Sequence, residues 1–323
     1  MSWILLGIPV GIAFLYFGSE WMVGGAKKMA VRLGVTPFII GLTVVALGSS
    51  APEVVTVLVS GNNPQIILGN IVGSNIANVG LAIGLAALIS PVFCKFSEIK
   101  FEIISMLAAT FVITLMALTG SLGFAEGIVL VSALVVFIYL AYKFKRGVAA
   151  EEGEPKHVSG NGDVRKEGMY KFVLMIAAGI ILLYFGARAF IDGAVELAGM
   201  LGVSDLMVGL IVVAVGASLP ELCICIVAAY RKENELVVSN IVGSIVFNSF
   251  FALGVGVIYT TVSVSHYTMV FHLPVMVLMS VLMAYMIKRD DNVSRTEGLF
   301  LLLVYAAYIG LMFVFPALTQ GAI

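Results

Sequence analysis

The chain is 323 residues long, 61% hydrophobic and only 11% charged, with a formal net charge of −1. Length alone suggests two soluble domains, but this composition excludes them, because there is too little polar surface to face water. The net charge gives no reason to expect nucleic acid as a partner; what matters is where the charges sit.

A helix that crosses a bilayer needs roughly 20 apolar residues. In chain order, apolar stretches of that kind are predicted at 4–23, 35–60, 65–90, 101–119 and 123–142, and again at 170–191, 204–230, 236–258, 267–287 and 298–316. The first has no basic segment before it and no A-x-A cleavage site after it, so it is read as a retained span. The polar stretch 143–169 carries Glu151, Glu152, Glu154, Pro155 and several glycines, and is expected to be a solvated linker. The organisation is then a first repeat at 1–142, a linker at 143–169 and a second repeat at 170–323. With ten spans, all of the 18 basic residues except Arg188 fall on one face. Cytoplasmic loops carry the Lys/Arg excess. The expectation is an integral plasma-membrane protein with a cytoplasmic linker and both termini outside.

The halves repeat one another. Tyr16-Phe17-Gly18 recurs as Tyr184-Phe185-Gly186, and the run from Gly41 to Glu53 (GLTVVALGSSAPE) recurs from Gly209 to Glu221 (GLIVVAVGASLPE), both at an offset of 168. Asn70 to Ser74 (NIVGS) recurs as Asn240 to Ser244 at an offset of 170, and Glu126-Gly127 matches Glu297-Gly298. Five spans per half is an odd number, so the second half enters the membrane from the opposite side. The predicted fold class is therefore an all-α membrane protein with ten transmembrane helices as two inverted five-helix repeats, the design in which secondary transporters place their substrate at the midplane.

Of the 19 acidic residues, only Glu53 and Glu221 sit deep inside apolar spans. Glu20, Glu102, Glu126, Asp192 and Glu297 are expected near span ends, within reach of water or headgroups. A carboxylate at the bilayer centre costs about 2.5–3.5 kcal/mol on insertion scales, so two at equivalent positions call for a shared compensating partner. The bland alternative is a pair of glutamates that only bonds helices together. Pro52 and Pro220 remove the donor for the carbonyls of Gly48 and Gly216, so each helix must bend or break there. Free carbonyls are expected near Ala46 to Ser49 and Ala214 to Ala217, in backbone tolerated at membrane depth only where it lines a cavity or is buried in protein. Ser49, Ser50 and Ser218 add hydroxyls beside them. In the neighbouring spans Ser74 and Asn78, and likewise Ser244 and Asn248, are four apart and share a helix face.

These donors are all hard oxygens. Ca²⁺ takes about 6–8 of them in flexible geometry, whereas Mg²⁺ prefers to keep its waters. Two ionised glutamates balance one Ca²⁺ or are shared among several Na⁺, and competition for one carboxylate pair amounts to exchange. Cys94, Cys223 and Cys225 have no metal-binding or redox spacing, and His157, His266 and His272 form no H-E-x-x-H pattern. There is no Walker loop and no nucleophile elbow, so neither an enzymatic activity nor a prosthetic group is expected.

At these motifs the chain resembles the calcium/cation antiporter superfamily and, within it, the prokaryotic sodium/calcium exchangers. The resemblance runs over the whole chain and rests on the G-[ST]-S-x-P-E and G-N-x-x-G-S segments, each present twice. It implies Na⁺ and Ca²⁺ as transported partners, with Ca²⁺ between Glu53 and Glu221. It assigns Ala46, Ser49, Ser50 and Ser74 to inward-side sodium ligation, and Ala214, Ser218 and Ser244 to the outward side. It also implies that the first and sixth spans slide across a rigid core. The chain departs from the family's pattern in three places. Ser49 replaces a usual threonine, Ala217 replaces a hydroxyl residue, and Asn248 stands where some relatives carry aspartate. The lost hydroxyl at Ala217 is expected to weaken sodium binding, and the amide at Asn248 argues against potassium co-transport.

Proton/calcium exchangers usually carry a glutamate where Gly73 and Gly243 stand, which favours sodium here. A cation channel would need polar groups along a continuous path, not at one depth. An intramembrane protease would need a catalytic Asp or Ser/His pair within the spans, and all five Asp residues lie elsewhere. A monomer is compatible with a site formed between two halves of one chain.

Overall fold

The computed structural model describes residues 3–59, 64–151, 167–201, 216 and 218–315. Among these the helices are α1 (Gly7–Leu33), α2 (Pro37–Leu58), α3 (Ile66–Ile89), α4 (Phe96–Ala117), α5 (Phe124–Glu151), α6 (Met169–Met200), α7 (Leu219–Tyr230), α8 (Asn234–Tyr259), α9 (Thr268–Asp290) and α10 (Arg295–Val314). Eight of them are long and apolar enough to cross a membrane. The remaining two are α1, which is 27 residues long, and α7, of 12 residues, which follows a stretch outside the described residues.

Several boundaries differ from the expectation. α1 runs on to Leu33, where Gly34 takes a left-handed conformation (φ 67°) and caps it. Glu20, expected at a span end, is therefore well inside a helix. There it is mostly covered and ion-paired with Arg231. α5 continues to Glu151, into the stretch read as linker. Glu102, expected within reach of water, is buried on α4.

α1 and α6 pack antiparallel along a seam of glycines. A Cβ added at Gly18 would lie 2.9 Å from the Gly179 carbonyl oxygen, and one at Gly11 would lie 2.7 Å from that of Gly186. Gly11, Gly18 and Gly25 recur as Gly179, Gly186 and Gly193, again at an offset of 168. Seven-residue spacing keeps each set on one helix face, so the two backbones come into direct contact.

Inside that pair lies the core, where each half's motif helix packs on the other half's partner helix. α2 packs on α8: a Cβ at Gly243 would come within 2.6 Å of the Leu42 carbonyl oxygen. α7 packs on α3. On the far side α10 lies against α3 through Gly84 and Gly298, and α5 lies against α8 through Gly127 and Gly254. The repeated Glu-Gly pair is thereby explained. Glu126 accepts from the Gly123 N–H at 2.9 Å and Glu297 from the Ser294 N–H at 2.8 Å, so each carboxylate caps its helix while the following glycine allows close approach. Two short antiparallel pairings, Val92–Phe93 with Asn292–Val293 and Ser121–Leu122 with Val262–Ser263, tie the halves together.

Candidate ion site

α2 is not one uniform α-helix. A π-helical turn, Gly41–Val45, leads into Ala46–Ser49; the chain bends at Ser50 (φ −82°, ψ 9°) and resumes as Ala51–Val59. Ser218, which precedes α7, has almost the same backbone conformation (φ −86°, ψ 6°). Pro52 and Pro220 follow each serine by two residues; the predicted interruption is present in α2, while in the second half Ala217 and residues 202–215 lie outside the described residues. The two neighbouring helices are interrupted in their turn. π-helical stretches begin at Asn78 in α3 (Asn78–Ile83) and at Asn248 in α8 (Asn248–Ala252). Single π-helical turns inside α-helices gather at functional sites, because they loosen the backbone ladder and re-aim side chains.

These breaks place Glu53 and Glu221 in one buried interior, both at 0% exposure and near enough for each charge to act on the other. Ser50 donates to Glu221 Oε1 at 2.9 Å, and the hydroxyls of Ser49 and Ser244 also face Glu221. Ser74 faces Glu53. Ser49 Oγ lies 3.4 Å from Ser244 Oγ, which joins α2 to α8. The structure thus brings together Ser49, Ser50 and Glu53 of the first half with Glu221 and Ser244 of the second. Ala46 lies beside them, but its carbonyl is not free: it accepts from the Ser50 N–H at 3.0 Å and from Ser49 Oγ at 3.2 Å. The helical turn of α2 survives up to the bend, and Ser50's own carbonyl accepts from the Val54 N–H at 3.3 Å; the carbonyl whose donor Pro52 removes is that of Gly48. Ala214 and Ala217 lie outside the described residues.

Most buried side-chain polar atoms without a hydrogen-bond partner, among the described residues, belong to this interior. They include both carboxylate oxygens of Glu53, Oε2 of Glu221, Oγ of Ser218 and both amide atoms of Asn78 and of Asn248. A buried polar group left unpaired costs about 1–3 kcal/mol, and more for a charge, so a concentration of them marks a place built to be completed by something else. Among the described residues there is no cluster of three or more His, Cys, Asp or Glu side chains. The arrangement is two carboxylates among neutral oxygens. That set attracts hard cations while offering no thiolate or imidazole to fix one permanently.

Sequence reasoning missed one neighbour of the site. Asn240, fully buried on α8, accepts from Ser49 Oγ at 3.2 Å. Its signal was the repeated NIVGS segment itself, in which Asn240 stands one helical turn before Ser244. A second polar group, Asn75 Nδ2 on α3, donates to Ser249 Oγ on α8 at 3.1 Å. It has no equivalent in the other half, where Ile245 stands, so the repeat could not reveal it.

The sodium/calcium exchanger protein family matches residues 3–143 and 171–314 of the chain. The chain is 32% identical over 309 residues to the uncharacterized membrane protein MJ0091 of Methanocaldococcus jannaschii, covering 94% of this chain and 96% of that one. It is 32% identical over 354 residues to the sodium/calcium exchanger MaX1 of Methanosarcina acetivorans, covering 94% and 97%. Among solved structures, the sodium-calcium exchanger NCX_Mj soaked with 10 mM Na⁺ and zero Ca²⁺ matches with a TM-score of 0.81 at 29% identity, covering 96% and 99%.

Proposed function

The chain belongs to the sodium/calcium exchanger protein family, and we propose that it is a secondary antiporter exchanging Na⁺ for Ca²⁺ by alternating access. The observation that carries this reading is the facing pair Glu53 and Glu221, one from each half, buried and with three of their four carboxylate oxygens unpartnered. Two carboxylates balance one Ca²⁺ in a low-dielectric interior. Their unpartnered oxygens, with those of Ser218, Asn78 and Asn248, supply the hard-oxygen set that a flexible calcium site needs. Sodium, with half the charge, relies more on the neutral oxygens of Ser49, Ser50, Ser74, Ser218 and Ser244. It competes for the same carboxylates, and that competition couples the two fluxes.

On this reading the chain has ten spans as two inverted five-helix repeats, and the ion site lies at the bilayer midplane. Support comes from the equal 168-residue offset of the motif segments and of the glycines on α1 and α6, and from the matching backbone conformations of Ser50 and Ser218. The linker is cytoplasmic, because the basic residues gather on its side.

The test is sodium-gradient-driven ⁴⁵Ca²⁺ uptake into proteoliposomes, with and without a proton ionophore. Uptake is expected to require an outward-directed Na⁺ gradient and to survive the ionophore. It responds to voltage if more than two Na⁺ exchange per Ca²⁺. Equal uptake driven by a pH gradient without sodium would make the protein a proton/calcium exchanger, and flux far above a turnover-limited rate would make it a channel.

A further inference from the structure

Ser49 has one hydroxyl hydrogen and several acceptors around it. The Ala46 carbonyl oxygen and Asn240 Oδ1 each lie at 3.2 Å, Ser244 Oγ lies at 3.4 Å, and the Glu221 carboxylate is nearby. A hydroxyl ligates a cation through its oxygen lone pairs, so its hydrogen must point away from the ion. A carboxylate is the strongest of these acceptors, because charge-assisted hydrogen bonds are roughly twice as strong as neutral ones. Left to Glu221, the hydrogen would point toward the carboxylate and into the space a cation would take.

Asn240 is held to oppose that. Its Nδ2 donates to Cys225 Sγ at 3.7 Å, and Cys225 Sγ donates in turn to the Val237 carbonyl at 3.9 Å. All three residues of this network, Ser49, Asn240 and Cys225, are buried. The donors run in one direction, from Ser49 to Asn240 to Cys225 to the backbone, so each bond fixes the orientation of the one before it. With the amide nitrogen committed to sulfur, the amide oxygen is the atom presented to Ser49.

The other half lacks this chain. The residue equivalent to Cys225 at an offset of 168 is Val57, and the residue equivalent to Ser49 is Ala217. Neither side chain can donate or accept. Asn70, the equivalent of Asn240, has its Nδ2 buried without a partner. The same asparagine is thus wired into the site on one side only, where there is a hydroxyl to orient.

We infer that Asn240, backed by Cys225, is a positioning residue that turns the Ser49 hydroxyl so its oxygen faces the ion, and so sets sodium sensitivity from one side of the site. This rests on the sodium/calcium reading above. The bond is neutral and contributes modestly, so the effect is severalfold.

The test compares Asn240→Ala, Asn70→Ala, Ser49→Ala, the Asn240→Ala/Ser49→Ala double variant and Cys225→Val in proteoliposomes. It measures half-maximal Na⁺ for displacing ⁴⁵Ca²⁺ and half-maximal Ca²⁺ for uptake. Asn240→Ala is expected to raise the sodium value about three- to tenfold while the calcium value stays within about twofold. In the Ser49→Ala background it should add nothing, because the hydroxyl it orients is gone. Cys225→Val should shift the sodium value in the same direction by a smaller factor. This arm decides the matter if Ser49→Ala leaves too little sodium displacement to measure. Asn70→Ala should leave the sodium value within about twofold. The inference is overturned if Asn240→Ala leaves sodium sensitivity unchanged, shifts both ions alike, or adds its full effect in the Ser49→Ala background. An equal shift from Asn70→Ala would also overturn it, since that is what loss of packing predicts. If wild-type protein shows no displacement of Ca²⁺ by Na⁺, the exchanger reading itself fails, and that result is separate from any of these.

Discussion

In the α1–α6 pair, helices meet backbone to backbone through glycines, with carbonyl oxygens such as that of Gly179 within 3 Å of where a side chain would begin. In the core of α2, α3, α7 and α8, helices meet through polar side chains, many of them fully buried and several unpartnered. Both regions touch near the bend in α2. A Cβ at Gly48 would lie 2.7 Å from Ile180 on α6 and 3.0 Å from the Met22 side chain on α1. The pair is apolar and smooth where it faces the site; the core is polar, interrupted and clasped by the two short strand pairings. If the pair slides, as the resemblance to the family implies, an apolar face against a polar, tied core lets it move without breaking core hydrogen bonds. Among the described residues the pair is tethered unequally. On α1, Glu20 pairs with Arg231 and Lys27 with Glu233, both in the α7–α8 connection, whereas the Arg188–Asp192 pair lies within α6.

The sharpest break of this comparison is on the polar side. Glu53→Gln or Glu221→Gln leaves one carboxylate to face a divalent ion. Removing one partner of a buried charged set costs about 3–5 kcal/mol, so calcium uptake should fall by more than a hundredfold, to the level of empty liposomes. Near-normal ⁴⁵Ca²⁺ uptake by either variant would remove these residues from the site.

A break on the apolar side should affect motion and spare binding. Gly18→Val adds a branched side chain where Gly179 O already lies 2.9 Å from the first added carbon. Overpacking of this kind costs about 1–3 kcal/mol. Turnover is expected to drop about tenfold or more while half-maximal Ca²⁺ changes little. If affinity and rate fell together, the seam would be part of the site's support and not a separate moving element.

The smallest effect is expected at the tether. Glu20→Gln removes a partly exposed pair with Arg231, in which Arg231 Nε also donates to Glu20 Oε1 at 3.0 Å. Such pairs contribute about 0.2–1 kcal/mol and are screened by salt. Turnover should change by up to severalfold, and the difference from wild type should shrink at high ionic strength. A salt-independent change would point to packing of the Arg231 side chain instead.

Much of the site was legible because the two halves of the sequence carry the same motif residues twice. Glu53 and Glu221, the prolines after the bends, and the serines beside them were visible as a recurrence at a fixed offset. What the repeat hid was any feature present once. Asn75 has no counterpart, and neither does the Asn240–Cys225 link, because Val57 stands where the other half has Cys225. The recurring Glu126 and Glu297 show that recurrence also marks structure, since these residues cap helices.

By itself the sequence determined that the chain lives in a membrane, that its halves are related, and that two carboxylates sit where water does not reach. Those follow from composition and periodicity, which are local properties of the chain. Only the tertiary structure decided that α1 extends to Leu33 and carries Glu20 to Arg231. Only the tertiary structure showed that Ala46's carbonyl is engaged while Asn78 and Asn248 are unpartnered, and that Ser49 is held by Asn240 across 191 positions of sequence. A hydrogen bond is made or missed by a few tenths of an ångström between helices, and only the packing of the two halves sets that distance.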